Sequence, residues 1–343
     1  MRAMLRRSCY LILAIAGLAL SARAADATDE FYKGKTIRIV VGFAAGGGFD
    51  TYARAIGRHL GRHIPGNPTI IVDNMTGAGS LIAANHVYKV AKPDGLTMGH
   101  FIGGLFMLQV FGRPGIEFDA RKFEYVGVPV KDNPACAFTR ASGITSIEKW
   151  LAAKTPVKLG AVAPGSTTDD VPKVLTAAIG VPLQVVSGYK GTADIRLAAE
   201  GGEVAGGCWG WESIRATWRK SIETGEVVVV LQTQVQPAPD IPNVPLAMTF
   251  AKTDEARQLI KVGIQDAGAI TRPFVMPPGT PRDRVQLLRK AFVDTLKDPE
   301  FQMEAQKVKL DVDPMTGEEL ERTVHGLFKL DPTFFAKLKN TLK

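Results

Sequence analysis

Cysteine is scarce in this chain: three in 343 residues, at Cys9, Cys136 and Cys208. A chain of this length must therefore be held by apolar burial, not by a dense disulfide framework. Histidine is scarce too, with five: His59, His63, His86, His100 and His325. His59 and His63 stand four apart, but Leu60 occupies the place where a metalloprotease motif needs glutamate. Ser80 and Ser166 each follow a glycine, yet neither sits in G-x-S-x-G. No carboxylates pair at a telling spacing. No catalytic residue, metal ligand or cofactor is expected, and the chain does not read as an enzyme. Aromatic and basic residues do not interleave, so nucleic acid is not an expected partner. After the first 20 residues, no apolar run is long enough to span a bilayer.

The N-terminus has the pattern of an export signal. Arg2, Arg6 and Arg7 precede an apolar stretch over 9–20, and Ala22-Arg23-Ala24 offers a cleavage site. Residues 1–24 read as a signal peptide cut after Ala24, giving a periplasmic protein that starts at Ala25. Losing Arg2, Arg6, Arg7 and Arg23 lowers the formal net charge of +8 by four. The remaining charge suits an anionic ligand without demanding one. Cys136 and Cys208 survive processing; they could pair or sit apart as small buried residues.

Strand-like and helix-like segments then alternate, which defines an α/β chain. Strands are expected over 37–43, 69–73, 97–101, 125–129, 157–162, 183–186 and 227–232. Helices are expected over 50–63, 79–90, 145–153, 169–179, 192–200, 254–266, 281–296 and 317–328. Pro237, Pro239, Pro242 and Pro245 mark an irregular connection.

Three strand-to-helix loops look alike. The first is Phe43-Ala44-Ala45-Gly46-Gly47-Gly48, where three residues without Cβ let a ligand approach the backbone. It lacks the Lys-Ser/Thr of a phosphate loop and the spacing G-x-G-x-x-G. The second, Ala163-Pro164-Gly165-Ser166-Thr167-Thr168, adds three hydroxyls at a helix start. The third runs from Asn74 to Ser80. Tyr189 and Lys190 precede a further helix. Each helix start leaves N–H groups unpaired and favours negative charge. Each loop alone could equally be a tight turn with a capping hydroxyl. Together they suggest ligand sites beyond the carboxyl ends of two sheets.

In this order the motifs resemble the Bug or TctC-like receptors of the tripartite tricarboxylate transporter system. The landmarks are Ile37-Arg38-Ile39-Val40-Val41 with its glycine loop, Asp73-Asn74 with Gly77-Ala78-Gly79, and Lys92-Pro93-Asp94-Gly95. Gly188-Tyr189-Lys190-Gly191 and Pro277-Pro278-Gly279-Thr280-Pro281 complete them. The resemblance implies a monomeric two-domain periplasmic binding protein of the Venus-flytrap kind, each domain a mixed, mostly parallel sheet flanked by helices. It implies that a small organic carboxylate is held between the domains and delivered to a permease of large and small membrane subunits. The ligand loops would be 43–49 and 163–168, with Asn74, Ser80 and Tyr189 nearby. Where relatives often carry an acid, this chain has Trp209, which suits an apolar or aromatic ligand part. Domain 1 is expected over 25–123 plus 229–343 and domain 2 over 124–228. The hinge would lie in strands near 124–130 and 226–232. Two other readings share these residues: a ligand-presenting sensor for a membrane histidine kinase, and a secreted hydrolase.

Overall fold

The computed structural model describes residues 31–329 and 332–342. The expected signal peptide and its cleavage point lie outside the described residues. Among the described residues, no helix is long and apolar enough to cross a membrane.

Among the described residues, eleven strands form two sheets. In chain order they are β1 (Thr36–Val41), β2 (Thr69–Asn74), β3 (Thr97–His100), β4 (Glu124–Val128), β5 (Pro134–Thr139) and β6 (Val157–Ala161). They continue with β7 (Leu183–Ser187), β8 (Gly206–Gly210), β9 (Val227–Gln232), β10 (Phe274–Met276) and β11 (Met315–Thr316). The first sheet has the order β11-β4-β10-β3-β1-β2, the second β7-β6-β8-β5-β9. β1 runs parallel to β2 and β3, and β6 parallel to β7 and β8. β10, which returns after a long connection, and β5, which directly follows β4, pair antiparallel to their neighbours. Each sheet is thus mixed and carries helices, giving the expected two-domain α/β architecture.

β1 shows why this segment becomes a central strand. Ile37, Ile39, Val40 and Val41 are fully buried, and branched side chains pack well on a pleated surface. The following helix, Gly48–Leu60, buries Phe49, Tyr52, Ala53, Ile56 and Leu60, the three-and-four spacing of one apolar face.

The strands expected to cross between domains each belong to one sheet. β4 pairs with β10 and β11 in the first, and β9 pairs with β5 in the second. The chain therefore passes across after each strand, at 129–133 and again shortly before β10. Helix Asp254–Ile260, expected in domain 1, packs on Thr167–Ile179 beneath the second sheet. So does the last helix, Pro332–Thr341. The apolar pattern predicted the first of these helices but carries no record of which sheet it covers. The two crossings touch where the Asp132 N–H donates to the Gly268 carbonyl at 3.0 Å.

Cys136 and Cys208 face each other across β5 and β8 and form a disulfide. The bridge closes a sequence separation of 72 residues. Replacing both cysteines with alanine is expected to lower stability by about 2–4 kcal/mol, read as a lower urea midpoint. An unchanged midpoint would mean that the ladder alone supplies the constraint.

Candidate ligand-binding site

The first loop is built from below. Gly42 lies so close to Ser80 that a Cβ there would stand 2.2 Å from the Ser80 Cβ. Ser80, itself at φ 70°, accepts the Ile102 N–H at 3.0 Å. Asp50 in the first helical turn accepts the Gly46 N–H at 2.9 Å, the Asn74 amide at 2.9 Å and the Arg54 guanidinium. Burial pushes the Asp50 carboxyl up, but the bonds from Arg54, Gly46 and Asn74 outweigh it and hold it below its ordinary range. Asn74 also donates to the Phe43 carbonyl at 2.8 Å. The loop is thereby fixed without any capping side chain on Gly47, the residue before the helix.

The second loop is likewise self-supporting. Thr168 Oγ1 accepts the Val162 N–H at 3.0 Å, Ser166 Oγ donates to the Ala163 carbonyl, and Asp170 accepts the Gly165 N–H at 3.0 Å. Helix Thr167–Ile179 again begins without a side-chain cap.

The two loop systems meet. The Ala44 N–H donates to the Lys190 carbonyl at 3.1 Å, Arg196 donates to the Gly46 carbonyl at 3.2 Å, and Gly79 faces Ala163. Between them lies a narrow cleft. Phe43, Gly47, Gly48, Phe49 and Ile102 line it from the first domain. Val162, Ser166, Thr167, Thr168, Thr192, Trp209 and Ser213 line it from the second, with Asp132 and Arg272 from the crossings.

Arg272 is the strongest electrostatic feature. It is 2 % exposed, lies 4.8 Å from the Phe49 ring, and donates from Nε to Asp132 at 2.9 Å and from Nη2 to Glu212 at 2.8 Å. Burial, and then the neighbouring Asp132 carboxylate, push the Glu212 carboxyl well above its ordinary range, against the pull of Arg272. Arg272 Nη1 has no partner. Neither have Ser213 Oγ, Thr192 Oγ1 and Trp209 Nε1, all buried. A Cβ on Gly48 would stand 2.2 Å from Ser213 Oγ and 3.1 Å from Arg272 Nη1, so both groups crowd the same helix start. Unpaired buried donors are costly, and four around one cavity call for an acceptor from outside the chain.

Of the residues singled out in the sequence, Phe43, Gly47, Gly48, Ser166, Thr167, Thr168 and Trp209 line the cavity. Ala44, Ala45, Gly46, Asn74, Ser80, Ala163, Gly165 and Tyr189 do not. The Gly46 N–H, expected to face a ligand, is donated to Asp50. Ser166 and Thr168 spend their hydroxyls within their own loop. Tyr189 donates outward to Glu203 at 2.6 Å. Trp209 is 2 % exposed and stacks on Trp218 at 5.6 Å while closing one wall. Arg272, Asp132, Thr192, Ser213, Ile102 and Val162 were missed. Arg272 sits in Thr271-Arg272-Pro273, which follows no loop motif; only its isolation before an apolar run hints at burial. The cluster of His59, Asp298 and Glu300 lies off the cavity wall and is already paired, through Arg62 and Glu304.

Known proteins resemble this chain in sequence and in fold. The chain is 26 % identical over 334 residues to a Cupriavidus necator protein described as the UPF0065 protein in the gbd 5′ region, spanning 95 % of this chain and 94 % of that one. The solved periplasmic binding protein BugD superposes with TM-score 0.72 at 22 % identity, over 90 % of this chain and 98 % of its own. Rpa4515 of R. palustris, solved with adipate, gives TM-score 0.72 at 20 % identity, over 90 % and 97 %. The chain thus shares the fold of a periplasmic binding protein. The family model described as the tripartite tricarboxylate transporter family receptor matches residues 53–327, and the chain belongs to that family.

Proposed function

We propose that this chain is an extracytoplasmic receptor that captures a small organic carboxylate between its domains and delivers it to a permease of large and small membrane subunits. The observation that carries the reading is the cleft where two uncapped helix starts from opposite domains meet four unpartnered donors. Helix N-termini favour an anion by about 0.3–1 kcal/mol each, and more in partly buried geometry. The adipate held by Rpa4515, a neighbour of the same fold, is itself a small organic carboxylate.

The leader over 1–24 would send the protein to the periplasm as a monomer starting at Ala25. The hinge would lie in 129–133 and 267–273, where the Asp132–Gly268 bond joins the two crossings. Only the closed form brings donors from both domains onto one anion, so ligand selects that form. A thermal-shift screen of small carboxylates against their neutral amides tests the reading. An acid at about 100 times its dissociation constant should add roughly 2.7 kcal/mol of stability, and its amide should add nothing. Equal shifts from acid and amide would remove the anion from the account.

A further inference from the structure

The cavity's charges specify more than an anion. Among the lining residues the charged ones are Arg272 and Asp132, and they already face each other at 2.9 Å. Asp132 Oδ2 also accepts the Thr167 hydroxyl at 3.3 Å, which holds its carboxylate toward the second helix start. What Arg272 has left is a single nitrogen, Nη1, beside Ser213 Oγ and Gly48. Those groups and the first-turn N–H donors of Gly48–Leu60 form one seat for one carboxylate. The rest of the wall is largely apolar, with Phe43, Phe49, Ile102, Val162 and Trp209. Thr192 Oγ1 and Trp209 Nε1 remain as neutral donors, matched to an uncharged oxygen.

We infer that this cavity selects monocarboxylates with an apolar body, optionally carrying a neutral oxygen, and rejects di- and tricarboxylates. The inference rests on the receptor reading above. A second carboxylate placed at the second helix start meets the Asp132 carboxylate, which accepts the Thr167 hydroxyl there, and elsewhere it meets mostly apolar wall. Burying a charge without a partner, or against a like charge, is strongly unfavourable.

Matched acids test this by titration calorimetry on purified protein freed of carried-over ligand by unfolding and refolding. One pair is 4-methyl-2-oxopentanoate against 2-oxoglutarate, which share a head and differ in a branch or a second carboxylate. The other is benzoate against phthalate, with adipate and citrate added. Each monocarboxylate should bind at least 100-fold tighter than its dicarboxylate partner. Asp132→Asn, which keeps the oxygen that meets Arg272 Nε, should narrow that gap at least tenfold by admitting the second charge. Should that variant fail to fold, judged by circular dichroism, the matched pairs decide alone. Tighter binding of the dicarboxylates overturns the inference and leaves the receptor reading standing. A folded protein that binds none of the acids counts against both.

Discussion

Gly104→Leu is expected to abolish ligand binding, by at least 100-fold, in a protein that stays folded. Gly104 opens helix Gly104–Val110 of the first domain and faces the second-domain loop directly. A Cβ at this position would stand 2.0 Å from the Gly165 carbonyl oxygen and 2.9 Å from its carbon, both main-chain atoms held by the Asp170 bond and Gly165's φ of 88°. The three nearest atoms all belong to Gly165, so the clash is with the opposite domain and not with its own. Any side chain therefore opposes closure while leaving each domain's packing intact. Gly104→Ala should lose less, about tenfold, because one carbon allows closure to stop slightly short. Removing a helical glycine also adds up to about 1 kcal/mol of helix propensity, so the apo protein should melt no lower. Calorimetry gives the affinity, and small-angle scattering should show an open form that ligand no longer compacts. Wild-type affinity in the leucine variant would mean that binding does not need the domains to meet here.

That contact shows what the sequence carried and what it did not. The strand-loop-helix pattern over 36–60 was legible because branched residues, glycines and a three-and-four stripe follow one another locally. Strands β5, β8 and β10 were not. β5 opens with Pro134, β8 is Gly206-Gly207-Cys208-Trp209-Gly210, and β10 is three residues between Pro273 and Pro277. Their composition argues against strands, and the pairing partners that override it lie far away in sequence. The site divides the same way. Gly47, Gly48 and Thr167 announced themselves through loop chemistry, whereas Gly46 lost its N–H to Asp50, only four residues away. Arg272 could not be read, because its role comes from two carboxylates, 140 and 60 residues away. Cys136 and Cys208 were likewise undecidable until register set them opposite.

Arg272→Met should be the most destabilising single change near the site, and its cost should depend on pH. Arg272 stands between Asp132 and Glu212, all three only 2–3 % exposed. Removing one partner of a buried ionic cluster costs about 3–5 kcal/mol, because the remaining charges lose their counter-ion. For a chain of this size that lowers Tm on the order of 10 °C. The sign of the pH effect follows from the carboxyls. Without the guanidinium, the burial and the Asp132 charge that already raise the Glu212 carboxyl act unopposed and raise it further above its unfolded value. Groups raised in this way contribute most stability below the unfolded pKa and lose it as pH rises through the folded one. The deficit of the variant relative to wild type should therefore be largest near pH 7.5 and narrow toward pH 4, in urea titrations at each pH. Adding Asp132→Asn and Glu212→Gln to Arg272→Met should recover at least half of the loss at neutral pH, since no buried charge is then left unpaired. A deficit below about 1 kcal/mol, or one that does not change with pH, would mean that water reaches the cluster and that Arg272 is not the charge on which the cavity is built.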